Sequence, residues 1–197
     1  MSAAVILASA SPRRTQLLSE LGIAHEVAPA DIDETPRSQE PALVYVQRMA
    51  VTKAQAGNTQ AGARLGSSQR GIPAVLAADT IVVADDLILG KPADEQHGLE
   101  MLARLSGRTH KVVTAVCLQH GVRQAAALVS TQVSFRSVSL QEARGYWASG
   151  EPRDKAGGYG IQGAAAAFVS NIDGSYSGVI GLPLVETRAL FLSLGLY

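Results

Sequence analysis

Residues Leu7-Ala-Ser-Ala-Ser-Pro-Arg-Arg14 turn an extended chain into a helix within a few residues, and that transition limits every fold open to the chain. The apolar run Ala3 to Ala8 predicts a strand. Ser11 suits the N-cap and Pro12 the first helical position, so a helix is expected from Pro12 to about Leu21, stopped by Gly22. Arg13 and Arg14 then sit in the first turn, where unpaired N–H groups and the helix dipole already make the field positive. A cation there is disfavoured by roughly 0.3–1 kcal/mol. One reading places both guanidinium groups in water. The other makes Ser9, Ser11, Arg13, Arg14 and the open amides a cradle for phosphate.

Strands and helices continue to alternate. An extended piece is expected at His25 to Ala28, an acidic loop at Asp31 to Gln39, and a helix at Pro41 to Ala56 with Leu43, Val44, Ala50, Val51 and Ala54 near helical spacing. Gly57 to Ile72 reads as a flexible connection or a frayed helical extension. A strongly apolar strand follows at Ala74 to Ala84, turning at Asp85-Asp86 into Leu87 to Leu89. Asp94 can cap a helix to Leu105, closed by Gly107. Lys111 to Leu118 and Gln124 to Phe135 form a hairpin through Gly121. Ser139-Leu-Gln-Glu142 has capping-box form and opens a helix to about Ala148. After a glycine-rich loop come a strand at Ala166 to Ile172, a turn at Asp173-Gly174 and a helix from Pro183 to Leu194. The expected fold class is α/β, a mixed sheet with flanking helices, with no internal repeat.

A chain of 197 residues with 47% hydrophobic and 17% charged residues can bury a substantial core. Its 17 basic side chains balance 17 acidic ones, which argues against broad binding to nucleic acid, so any basic patch is local. Three Phe, one Trp and five Tyr offer no stacking platform for bases. Cys117, the single cysteine, sits in an apolar run and reads as a core residue in a reducing compartment. No basic leader with an apolar stretch begins the sequence, and no apolar run reaches membrane-spanning length, so a cytoplasmic location without membrane contact is expected.

Asp79 interrupts Ala74-Val-Leu-Ala-Ala78 and precedes Thr80-Ile-Val-Val83. A carboxylate in such a run must be paired, hydrogen-bonded or metal-bound. It is a functional carboxylate, an edge-strand Asp facing water, or a mid-sheet Asp held by hydroxyls such as that of Thr80; the first is favoured. Lys53 and Lys91 read singly as solvated charges and gain meaning together if they meet one anion. Asp31, Asp33 and Glu34 lack EF-hand spacing, yet one or two carboxylates suffice for a phosphate-bound magnesium ion. Gly158-Tyr-Gly-Ile-Gln-Gly163 spells GxGxxG, but the polar segment before it is no strand, so it is not a dinucleotide fingerprint. Its glycines are expected to let backbone approach a ligand, with Gln162 offering both a donor and an acceptor. The four histidines form no zinc pattern.

Taken together, the chain resembles the Maf family of nucleoside triphosphate pyrophosphatases over nearly its whole length. The resemblance rests on Leu7 to Arg14, Asp33-Glu34, Lys53-Ala54, Ala78-Asp-Thr80, Gly90-Lys-Pro92, Leu105 to His110, Asp154 to Gly157, Tyr159 to Gly163, Gly174 to Tyr176 and Gly181 to Leu184. It implies a single domain over 1–197 with two lobes around a deep cleft. It also implies hydrolysis between the α- and β-phosphates of a nucleotide, with a divalent metal, Mg2+ or Mn2+. Asp79 is then the proton acceptor, and Ser9, Arg13, Arg14, Glu34, Lys53 and Lys91 line the triphosphate and metal site. Metal ligation is assigned to Glu34 and Asp79. An ionised, metal-bound Asp is a poor base, so those two roles compete. Arg13, Thr80 and Gln162 are similar to the set associated with dTTP and UTP, rather than that of the sister group acting on 7-methyl-GTP. The resemblance further suggests a homodimer. The rival from another class is a non-catalytic nucleotide-binding regulator of cell division. Two departures stand out: Gly57 to Ile72 is longer than is typical, and Ala164 to Ala167 replaces a more glycine-rich stretch.

Overall fold

The computed structural model describes residues 5–65 and 73–196. Strand β1 (Val5–Leu7) leads into helix α1 (Pro12–Glu20), then β2 (His25–Val27) and the long helix α2 (Ala42–Leu65). Next come β3 (Ala74–Ala84), β4 (Leu87–Leu89), α3 (Glu95–Leu105), β5 (Thr109–His120) and β6 (Arg123–Phe135). The chain continues through α4 (Leu140–Ala148), three 3-10 segments, β7 (Val169–Asp173), α5 (Tyr176–Ile180) and α6 (Leu184–Ser193). Among the described residues seven strands form one mixed sheet in the order β2-β1-β3-β5-β6-β7, with β4 paired to β3. β1 runs parallel to β2 and β3, whereas β3–β4 and β6–β7 are antiparallel.

Local chemistry explains most boundaries. α1 starts at Pro12 and ends in a Schellman-type closure: Gly22 takes φ +72°, its amide donates to Ser19, and the Ile23 amide reaches Leu18. Asp94 caps α3 by accepting from the His97 amide at 2.8 Å, and Ser139 and Glu142 close a complete capping box on α4. Asp85 and Asp86, both at positive φ, make the tight β3–β4 turn, a conformation that short polar side chains tolerate.

Three expectations need correction, and one of two alternatives holds. Ser11 occupies the N-cap, but its side chain makes no capping hydrogen bond. α2 runs on through Leu65, so Gly57 to Leu65 is helical extension; residues 66–72, like residues 3 and 4 of the first strand, lie outside the described residues. The buried stripe of α2 is Val46, Met49, Ala50, Lys53, Ala54, Gly57 and Ala61, while Leu43 and Val44 are exposed. Small residues set that stripe because α2 lies close on the sheet: a Cβ at Gly57 would come within 2.8 Å of Val75 Cγ1. Finally, Ala164–Phe168 is a 3-10 segment and the strand begins only at Val169, since a run of alanines offers little side chain to a pleated surface.

The chain divides into two compact units: Met1–Asp79 with Thr114–Val129 and Gly181–Tyr197, and Thr80–Val113 with Ser130–Ile180. In the first, Leu7, Leu18, Met49, Val75, Leu76 and Phe191 are fully buried. The second has its own cluster of Leu102, Leu105, Val133, Phe135, Tyr146, Tyr159 and Phe168. Its rings meet edge to face, Phe135 lying 4.8 Å from Tyr159 and Tyr146 5.4 Å from Phe168.

Candidate functional site

The first unit holds seven of the expected residues: Ser9, Ser11, Arg13, Arg14, Glu34, Lys53 and Asp79. β3 pairs with β1 over Ala74–Leu76 and with β4 over Val82–Ala84; Asp79 lies between these two stretches and is 9% exposed. Lys53 answers its charge. The residue sits on the buried stripe of α2 and donates from Nζ to Asp79 Oδ1 at 2.8 Å. The same ammonium lies 3.0 Å from Glu34 Oε1, on the loop before α2. Asp79 is thus a buried carboxylate held by an ammonium. Two carboxylates converge on one cation, and the cation belongs to a helix that the core holds in place.

Arg14 stands at the other side of this charge pattern. Its Nε donates to the Gly181 carbonyl at 2.8 Å and its Nη1 to Ser9 Oγ at 3.1 Å. Ser9 Oγ also accepts from the Ser11 amide, and the Ser11 side chain makes no capping hydrogen bond. Burial pulls the Arg14 guanidinium below its ordinary value; Asp79 opposes this, Arg13 adds to it and Glu34 opposes it again. The group keeps its charge, since arginine stays protonated far above neutral pH. Arg13 is half-exposed on the next position of the same turn. No acidic residue occupies the first turn of α1, so serine hydroxyls, two guanidinium groups and the helix amides share one anion-attracting end.

The acidic loop is strapped to α2. Arg48 holds Glu40 through two hydrogen bonds, Nε–Oε1 at 2.6 Å and Nη2–Oε2 at 2.5 Å, and also donates to the Thr35 carbonyl at 3.2 Å. Tyr45 donates its hydroxyl to the Glu34 carbonyl at 3.0 Å. The Arg48 bond pulls the Glu40 carboxyl down to about 2. Sequence reasoning missed Tyr45, Arg48, Glu40 and the Gly181 carbonyl. The first two were legible only as helix-surface residues one turn apart. Nothing local links Arg14 to a glycine 167 residues away.

The remaining expected residues belong to the second unit. Thr80 follows Asp79 on β3 and is half-buried; Lys91 is exposed after β4; Gln162 is exposed in the turn after the second 3-10 segment. As expected of a segment that is no dinucleotide fingerprint, 3-10 turns rather than a strand precede Gly158. At two of these glycines the room that a side chain would need is already filled. A Cβ at Gly163 would fall 2.2 Å from Glu151 Oε1, and one at Gly160 would fall 2.7 Å from Lys155 Cε. They make room for this protein's own side chains, because a half-buried carboxylate has to reach backbone amides at this turn. Cys117 is fully buried, and burial raises its thiol to about 12, which fits a core residue.

Among the described residues no group of three or more His, Cys, Asp or Glu side chains forms a ready metal site, and no helix is long and apolar enough to cross a membrane. Chemically, the cluster pairs an anion-binding helix end with a carboxylate–ammonium–carboxylate triad. That combination suits the transfer or hydrolysis of phosphoryl groups, where charge must be neutralised and a water oriented.

Comparison with known proteins agrees with this chemistry. The family model described as Maf-like protein matches residues 4–194. A protein of Methylococcus capsulatus named dTTP/UTP pyrophosphatase is 49% identical over 192 residues, spanning 98% of this chain and 91% of that protein. One of the same name from Nitrosomonas europaea is 50% identical, over 98% of this chain and 95% of that protein. Another of that name from Salmonella typhimurium is 51% identical, over 93% and 89%.

Proposed function

The chain belongs to the Maf family, and we propose that it is a nucleoside triphosphate pyrophosphatase that hydrolyses dTTP and UTP to the nucleoside monophosphate and pyrophosphate. The observation that carries the reading is Lys53, held between Asp79 and Glu34 in the same unit as the Ser9–Arg14 pair. Relatives that share about half of its residues carry the name of this activity over nearly the whole chain.

The chemistry follows from charge. Cleaving the anhydride between the α- and β-phosphates needs the equatorial oxygens and the departing pyrophosphate stabilised, and a water aligned with the scissile bond. Ser9, Ser11, Arg13, Arg14 and the amides of the first α1 turn hold phosphate oxygens. Lys53 and Lys91 offset the charge that develops on the leaving group. Asp79, fixed in one orientation by Lys53, takes the proton of the attacking water. Thr80 and Gln162 read the pyrimidine edge, with Arg13 assisting the choice. A cleft deep enough to enclose the triphosphate is part of the proposal, as is a cytoplasmic location.

Glu34 fits a divalent cation, joined by Asp79 only when Asp79 is not serving as the base, because the two roles compete. Their oxygens already converge on one positive group, and magnesium needs only one or two carboxylates beside phosphate oxygens and water. When bound, such an ion supplies neutralisation of phosphate charge.

The test is pyrophosphate release from dTTP, UTP, CTP and 7-methyl-GTP with and without Mg2+ or Mn2+. Turnover of dTTP and UTP well above the others is expected. Asp79→Asn, with an unchanged circular dichroism spectrum, is expected to lose about a hundredfold or more in kcat, the scale of a missing general base. Retained turnover in Asp79→Asn would sink the catalytic assignment, and a clear preference for 7-methyl-GTP would refute the specificity.

A further inference from the structure

We propose that Tyr146 and Glu151 are positioning residues for nucleobase selection, because together they pin both ends of the turn that carries Gln162. The inference rests on the reading of Gln162 as a base-contacting residue.

All the parts lie within the second unit. Tyr146 is on α4 with its ring in the core, 5% exposed. Its hydroxyl accepts from the Gly160 amide at 3.0 Å and donates to Glu151 Oε1 at 2.8 Å. The other carboxylate oxygen, Oε2, accepts from the Ala164 amide at 3.0 Å. One tyrosine–glutamate pair therefore grips the backbone just before and just after Gln162. The turn is closed from within by the Gly163 amide on the Gly160 carbonyl at 3.1 Å. Sterics enforce the same arrangement, for Glu151 occupies the volume that a Cβ on Gly163 would need. Lys155 keeps Glu151 in place from its backbone side, donating from Nζ to the Glu151 carbonyl at 2.6 Å and to Asp154 Oδ1 at 2.6 Å.

Such a grip matters more for selection than for folding. Gln162 is exposed, so nothing in the core fixes its side chain; its precision comes from the backbone beneath it. Distinguishing pyrimidine edges depends on donor and acceptor placement to a fraction of an ångström, so loosening the turn weakens discrimination before it weakens turnover. Glutamate is needed for its two acceptors. Glutamine keeps one carbonyl oxygen and presents an NH2 to the other partner, so either the Ala164 amide faces a donor or the Tyr146 hydroxyl has to turn from donor to acceptor.

The experiment measures kcat and KM of the full chain for dTTP, UTP and CTP, in wild type, Tyr146→Phe, Glu151→Gln, Gln162→Ala and the double variant Tyr146→Phe/Gln162→Ala. In Tyr146→Phe and Glu151→Gln the dTTP-to-CTP ratio of kcat/KM is expected to fall about tenfold, mostly through KM, the scale of one lost hydrogen bond. In the double variant the ratio is expected to equal that of Gln162→Ala alone, because both changes act through one side chain. If Gln162→Ala loses selectivity but the folded Tyr146→Phe keeps the wild-type ratio, the positioning role is wrong while the base-reading role stands. If Gln162→Ala keeps the ratio, both are overturned. Should Glu151→Gln fail to fold, Tyr146→Phe, which removes a single oxygen, decides. Absence of dTTP and UTP turnover in wild type is a separate failure, that of the proposed activity.

Discussion

His110 shows how much one residue can carry. It is 3% exposed, with Nε2 and the Tyr159 hydroxyl 2.8 Å apart and Phe135 edge-on at 5.1 Å. Its Nδ1 is buried without a partner among the described residues, whichever tautomer is present. Burial lowers the imidazole to about 4, so the folded protein holds it neutral. Below the ordinary imidazole value the unfolded chain takes up a proton that the folded chain refuses, so stability falls as pH drops from about 6.5 towards about 4 and levels off beneath it. A shift of this size corresponds to about 3 kcal/mol at the bottom of the window. Urea unfolding from pH 7 to pH 4.5 checks this: His110→Gln, which keeps a polar partner for Tyr159 but does not titrate, is expected to flatten the slope.

At the scale of the element, α2 is the organiser of the first unit. Its buried stripe presents Lys53 to Asp79 and Glu34, while Tyr45 and Arg48, a turn or two earlier, hold the loop from which Glu34 projects. Helix and loop act as one piece because Arg48 makes a bidentate pair that lysine cannot copy. Both Arg48→Ala and Arg48→Lys are therefore expected to lower kcat/KM by about tenfold and to raise the Mg2+ concentration needed for half-maximal rate, with helix content unchanged. Equal Mg2+ dependence in wild type and both variants would show that the strap does not place Glu34. The first helical turn of α1 follows the same logic: Pro12 starts it by local geometry, but its charge is held by a serine and a carbonyl from other parts of the chain.

For the whole molecule, the backbone leaves and re-enters each compact unit. β3, β5 and β6 each give one stretch to the first unit and one to the second. No contiguous fragment contains either unit alone, and the hydrogen-bond ladders run along strands common to both. Cooperative unfolding is the expected result. Trp147, the single tryptophan, reports on the second unit, whereas far-ultraviolet circular dichroism reports on all helices. The two signals are expected to share one urea midpoint; separate midpoints would mean that the units unfold independently.

What the sequence by itself determined is the succession of elements and the character of the first helix end. Pro12 and Gly22, Asp94, the Ser139–Glu142 box and the Asp85-Asp86 turn act through backbone dihedrals and amides within a few residues, so their signal is complete in a short window. The excess of cations in the α1 turn was legible for the same reason, as was the oddity of Asp79 in an apolar strand. Only the tertiary structure decided what each charge meets. Lys53 had no local sign of being buried, since the larger apolar residues Leu43 and Val44 drew attention to the wrong face of α2, and close packing selected the small-residue face instead. Glu151 in the space beside Gly163, and Gly181 beneath Arg14, are contacts between distant residues that leave no period in the sequence. Local rules place the backbone, but which buried charges are paired depends on packing across the sheet.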